Sequence, residues 1–217
     1  FEKAITSGGD ERIELKDNGL NKYFLDPLNA EGLLTRASCT CSPLGTDVKA
    51  RVKAAFKMIK SGEASIEDIR VKQRFRMKAL LQNSNTSDFN IFFAPSGSDL
   101  CYYPILFSKI IEPNRPIMSL ITRPEELGTG SILANTAHYH AEKTQILDYV
   151  EKGKKIGCGI KVDHTLFPAR DTDGNIVDHT RKIYEAIEMY RESHTVLVNL
   201  VIGSKSGIED SITIIND

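Results

Sequence analysis

The chain has 217 residues, 41% apolar and 26% charged, and its 28 basic residues nearly balance 29 acidic ones for a net charge of -1. Such a length can bury a sizeable core, and the neutral balance argues against nucleic acid or an anionic membrane as partner. No apolar run approaches the length of a bilayer span, and four cysteines (Cys39, Cys41, Cys101, Cys158) without CxxC spacing read as reduced thiols of a cytoplasmic protein.

The first 45 residues are punctuated by Gly8, Gly9 and Asp10, by Asn18 and Gly19, by Asp26 and Pro27, and by Ser42 and Pro43. They read as an irregular N-terminal arm (1–45) ahead of an α/β domain over 46–217. Its scattered apolar residues, Leu20, Phe24, Leu28 and Leu34 among them, must pack on this domain or on a neighbouring subunit. A first residue of Phe1 rather than Met leads to the expectation of a trimmed piece. Val48, Val52, Ala55, Phe56 and Ile59 recur at helical spacing, which predicts a helix over 47–59 capped by Thr46 or Asp47 and stopped by Gly62. A second helix is predicted over 65–81, with Ile66, Ile69, Phe75, Leu80 and Leu81 buried and its Lys and Arg on a solvated face.

Residues 90–94 form a strand-like run that ends in Pro95, Ser96, Gly97, Ser98 and Asp99 and enters a helix-like stretch over 100–111. A strand emptying into hydroxyls, a glycine and a helix start gathers orphan N–H groups at the positive end of a helix dipole, which attracts a phosphate. Gly97 lets the backbone approach closely, and Ser98 or Asp99 can cap the helix. The competing reading is an ordinary capped turn. Residues 116–122 predict a buried strand, followed by a loop of small residues over 124–131. Further on, 154–162 predict a strand, 171–175 (Asp171, Thr172, Asp173, Gly174, Asn175) a turn, 178–190 an amphipathic helix, 195–202 a buried strand and 211–215 a short one. Alternating strands and helices predict a mostly parallel central sheet. Ligands of such sheets bind outside the carboxyl ends of the strands, where the loops at 95–99, 124–131, 203–207 and 216–217 fall.

Ser96, Gly97, Ser98 and Asp99 at a helix start, the 116–122 strand, the Asp171, Asp173, Gly174 and Asp178 step, Ser204 and Gly207 after a strand, and a closing Asp217 come in one order. In that order, residues 89–217 resemble the large domain of fold-type I pyridoxal-phosphate enzymes, the aspartate aminotransferase fold, closest to its cysteine-desulfurase-like branch; residues 36–42 give a weaker echo. The resemblance implies a three-layer domain with helices on both faces of the sheet. It implies pyridoxal 5'-phosphate as cofactor, an amino-acid-like small-molecule substrate, a transferase or lyase reaction and a homodimer. It makes Ser96, Gly97, Ser98 and Asp99 the phosphate turn, sets Ser204 beside the pyridine ring and sets Asp217 against the ring nitrogen. A carboxylate there keeps the nitrogen protonated, so that the ring accepts electrons.

The aldimine lysine of this family is not identified. Lys205 precedes the ring-facing aspartate instead of following it and reads as a loop lysine, so the resemblance implies a domain incomplete at its C-terminal end. Glu126, Leu127 and Gly128 stand where a ring-stacking residue is expected, which leaves His138 or His140 as outside candidates. Two other readings stay open: a catalytically silent relative serving as a binding or assembly module, and an unrelated phosphate-ligand-binding α/β domain. His138, His140 and Glu142 lack the spacing of a helical metal site and read as polar side chains.

Overall fold

Six successive small or apolar residues, Ile117–Thr122, form strand β1, and every one of them is buried. A strand buried on both faces needs neighbours on both edges, and β1 has them. The computed structural model, which describes residues 1–7, 11–29, 31–34, 43–83, 88–144, 149–157, 159–204 and 206–211, pairs β1 in parallel with β2 (Val162–Phe167) and with β3 (Thr195–Asn199). The order is β2-β1-β3, with Ile117 opposite Val162 and Thr195. The protein is therefore α/β with a small parallel sheet, as the alternation of elements predicts.

Successive strand residues point to opposite faces, so β1 supplies two cores. Ile117 packs with Ala137, Val162 and Ile105 of helix α5 (Tyr102–Ile111). Met118 and Leu120 pack with Phe167 and with Ile183 of helix α7 (Thr180–Tyr190), where Ile183 is 1% exposed. Residues Asp171 and Asn175 close the predicted turn, with Asp171 Oδ1 accepting from the N–H groups of Asp173 (3.0 Å) and Asn175 (2.8 Å).

The chain divides into two compact units, Phe1–Phe93 with Lys143–Tyr149, and Ala94–Glu142 with Val150–Asp217. The first holds helices α1 (Glu2–Ile5), α2 (Thr46–Ser61) and α3 (Ile66–Leu81). α2 stops at Gly62 in the left-handed region (φ 78°), as expected, but its N-cap is Gly45 rather than Thr46 or Asp47; Asp47 is engaged by Arg51 at 2.6 Å instead. α3 opens with a capping box, in which Ser65 Oγ accepts from Asp68 N (3.0 Å) and Asp68 Oδ2 accepts from Ser65 N (2.8 Å). The face expected to be buried is not: Phe75 is 75% and Leu80 84% exposed, and Ile66 and Leu81 are exposed as well. Apolar spacing fixes which residues share a helix face, and a partner surface must exist before that face is buried.

Three strand expectations are corrected. Residues 90–94 form no strand, because the three described strands pair only with one another and leave this run without a ladder; Phe92 is 60% exposed. The strand expected over 154–162 starts only at Val162, since Gly159 (φ 66°) turns the chain just before it and Lys155 makes an isolated antiparallel bridge with His138. The strand over 195–202 ends at Asn199. The short run at 211–215 lies outside the described residues beyond Ser211, as do Lys205, Asp217 and the 36–42 segment. Among the described residues no helix is long and apolar enough to cross a membrane.

Candidate functional site

The turn at 96–99 opens a nearly continuous helix. Helix α4 (Gly97–Leu100) is separated from α5 only by Cys101, which itself keeps helical angles (φ -63°, ψ -17°). The interruption has a cause in Pro104, which has no N–H to give the Leu100 carbonyl one turn back. The cap is Ser96 rather than Ser98 or Asp99: its Oγ accepts from Asp99 N (3.1 Å) and donates to Asp99 Oδ2 (2.7 Å). A Cβ on Gly97 would meet nothing within 4 Å, so the backbone there is open.

The other Asp99 oxygen, Oδ1, lies 3.2 Å from His140 Nε2, and the two side chains are 17% and 13% exposed. The His140 ring stacks on Tyr102, with centroids 5.8 Å apart and planes 29° apart. The Tyr102 hydroxyl donates to the His138 carbonyl oxygen at 2.8 Å, and burial pushes its pKa up to about 12. Burial also pushes the Cys101 thiol up, with Asp99 adding to the rise and the Ser131 hydroxyl opposing it. A protonated, half-buried thiol of this kind is a poor nucleophile.

The start of helix α6 (Thr129–Asn135) closes over the turn. A Cβ on Gly130 would stand 3.0 Å from Ser98 Oγ and 3.7 Å from His140 Nδ1. Gly130 therefore allows α6 to pack directly against the Ser98 hydroxyl and the His140 side chain, with no room to spare for a methyl group. The two small-residue loops singled out in the sequence, 95–99 and 124–131, are thus brought together. His138 takes no part in this contact; its Nδ1 is 2.9 Å from Thr136 Oγ1. No group of three His, Cys, Asp or Glu side chains suited to a metal occurs among the described residues.

A second set of polar residues lies at the carboxyl ends of the strands. Arg123, just past β1, adopts the left-handed conformation (φ 46°), uncommon for a side chain of its size. Its Nε donates to Asp210 Oδ1 at 2.7 Å, in a pair whose side chains are 10% and 8% exposed, while its Nη1 is buried without a partner. Asp210 also takes hydrogen bonds from the Thr122 hydroxyl and from Val201 N (2.7 Å). Glu125 accepts from Ala169 N at 2.9 Å, which ties the loop after β1 to the loop after β2. Glu126 accepts from the Ser206 N–H (3.2 Å) and hydroxyl, which ties it to the loop after β3. Those Ser206 bonds, with Ser204 and the charge of Arg170 adding less, hold the Glu126 carboxyl below the usual carboxylate range.

Of the residues picked out in the sequence, Ser96, Gly97, Ser98 and Asp99 form one turn, whereas Ser204 sits with Glu126 in the strand-end network. Arg123 and Asp210 were not singled out in the sequence. The one signal for Arg123 is a charged residue following directly on a buried strand. A shallow groove of about 730 Å³ beside Asp178, Arg181 and Tyr184 is lined by α7 and the residues leading into it, and none of the turn's residues belongs to it.

No protein-family model matches the chain, and no curated protein or solved structure matches it.

Proposed function

We propose that the chain is the large domain of a fold-type I pyridoxal-phosphate enzyme, a transferase or lyase acting on an amino acid or related amine in the cytoplasm as a homodimer. One observation carries the reading: the Ser96–Asp99 turn opens a nearly continuous helix, and at Gly97 its backbone has no neighbour within 4 Å of where a Cβ would stand. A phosphate monoester needs N–H and hydroxyl donors on an open approach, and the turn offers its helix-start N–H groups and the Ser98 hydroxyl beside the open Gly97 backbone. The α5 and α7 contacts on opposite residues of β1 support a three-layer domain.

Pyridoxal phosphate, when bound, supplies an electron sink for a carbanion next to the amine. The chain's own residues bind and orient. Ser96 fixes the turn by capping, Gly97 keeps the approach open, and Ser98 donates to the phosphate. Asp99 is held between Ser96 and His140. Glu126 holds Ser206, with Ser204 near it, at the strand ends. Asp217 is assigned to the ring nitrogen from the resemblance.

Calorimetric titration of the full chain with pyridoxal 5'-phosphate, pyridoxal and inorganic phosphate tests the proposal. Phosphate-dependent binding with a clear preference for the pyridoxal ester is expected. Equal affinity for unrelated phosphate esters would favour a general phosphate-ligand domain, and no phosphate-dependent binding would end the proposal.

A further inference from the structure

We propose that helix α3 is one half of a self-association surface: its apolar, arginine-bordered face docks in the acidic groove beside α7 of a second copy of this chain, and the α3 of that copy docks on the first in the same way. The inference rests on the homodimer part of the reading above and deepens it by naming the surface; it needs neither the cofactor nor the 96–99 turn.

Charge and apolar exposure single out this pair of surfaces. Residues 46–81, which hold α2 and α3, carry ten basic and four acidic residues, whereas the unit with the sheet, 94–142 with 150–217, carries twelve basic and sixteen acidic. The overall charge of -1 thus hides a basic helical segment and an acidic α/β unit, and each copy carries what the other needs. By helical spacing Ile66, Met77 and Leu80 share one face of α3, with Arg70 and Arg76 at its borders. Leu80 is 84% and Ile66 56% exposed, and neither α2 nor α3 buries a residue. An exposed apolar patch rimmed by charge marks an interaction site. Phe75 lies on the opposite face of α3 and stays outside the contact.

The groove beside α7, about 730 Å³ and lined by Asp178, Thr180, Arg181, Tyr184, Glu185 and Glu188, has the complementary chemistry. It sets three carboxylates against one guanidinium, and the Leu80 side chain needs only a fraction of its volume. Glu185 is paired with Arg181 at 2.9 Å and Glu188 with Arg191 at 3.2 Å, and all four side chains are more than half exposed. Exposed pairs of this kind contribute little, so both carboxylates can exchange onto Arg70 and Arg76 of a second copy, neither of which is ion-paired to a described residue. An apolar centre with a charged rim is the general anatomy of a protein interface. Two copies related by a two-fold axis make the contact twice, which satisfies both basic segments and closes the assembly at a dimer.

The test is sedimentation equilibrium of the full chain, with Arg70→Glu plus Arg76→Glu as one double variant and Glu185→Lys plus Glu188→Lys as another. The parent should be a dimer that loosens between about 0.1 M and 1 M salt, as screening weakens the charged rim. Each double variant alone should dimerise about a hundredfold more weakly, because like charges then face each other at both contacts. Mixed in equal amounts the two should associate as the parent does: the reversed α3 of one meets the reversed groove of the other, and the unaltered halves meet as before. Circular dichroism checks that each variant folds. Should a reversal unfold the chain, Arg70→Gln plus Arg76→Gln takes its place, with a loss of about tenfold expected. Parent-like dimers from every variant, or a mixture as weak as its components, would overturn the inference and leave the homodimer to another surface. A monomeric parent would end the homodimer as well, while the calorimetric titration with pyridoxal 5'-phosphate would still decide the cofactor reading.

Discussion

Helices α3 and α7 carry apolar residues at the same kind of spacing, yet Ile183 on α7 is 1% exposed and Phe75 on α3 is 75% exposed. The apolar residues of α7 gather on one face far more sharply than those of α3, and the outcomes are opposite. α7 lies on the face of a sheet that presents Met118 and Leu120 to it, and among the described residues α3 buries no side chain. Local pattern decides that a helix forms; the presence of a matching surface decides whether it stabilises the fold.

Four changes break or sharpen that contrast, from the largest expected effect downward. Asp210→Ala would leave the Arg123 guanidinium buried and unpaired at the end of β1, so it should cost about 4 kcal/mol by chemical denaturation. A loss under about 1 kcal/mol would mean that water reaches Arg123 in solution. Leu120→Ala opens a cavity in the α7-facing core, where Leu120 is 0% exposed, and should cost about 3 kcal/mol. Ser65→Ala removes the N-cap of α3 and should cost about 1 kcal/mol. Phe75→Ala should change stability by less than about 0.5 kcal/mol. If Phe75→Ala instead costs as much as Leu120→Ala, α3 is covered in solution and the contrast disappears.

The strand-end network adds a pH prediction. Glu126 is held below the usual range, chiefly by its Ser206 hydrogen bonds. Its folded-state value is thus lower than the unfolded one, near 4.3. The stabilisation is present above that unfolded value and is lost as pH falls through the folded one. Glu126→Gln should therefore lose stability relative to the parent at pH 7, and the gap should close at pH 3; a gap that widens on acidification would contradict the assignment.

Much of the architecture was legible in the sequence because it rests on local pattern. The buried run of β1, the Gly62 stop, the turn at Asp171 and the parallel sheet follow from apolar runs, glycine and Asx chemistry. Residues 90–94 looked like a strand by the same logic, but strand identity depends on a partner elsewhere in the chain. The 96–99 turn was legible because its cap and glycine are contiguous. The Asp99–His140 pair spans 41 positions and the Arg123–Asp210 pair 87; such contacts come from the tertiary fold and leave no local trace. His140 was visible only as one of two histidines two residues apart, and its stacking on Tyr102 rather than on a cofactor ring could not be read from that spacing.

The most direct measurement of the central claim is a crystal structure of the full chain grown with pyridoxal 5'-phosphate. The phosphate should lie within hydrogen-bonding distance of the Ser98 hydroxyl and the Gly97 or Ser98 N–H, and Gly97→Val, which meets no atom of the fold within 4 Å of its Cβ, should abolish that density while the chain stays folded. A phosphate held elsewhere, or full occupancy in the Gly97→Val crystal, would contradict it.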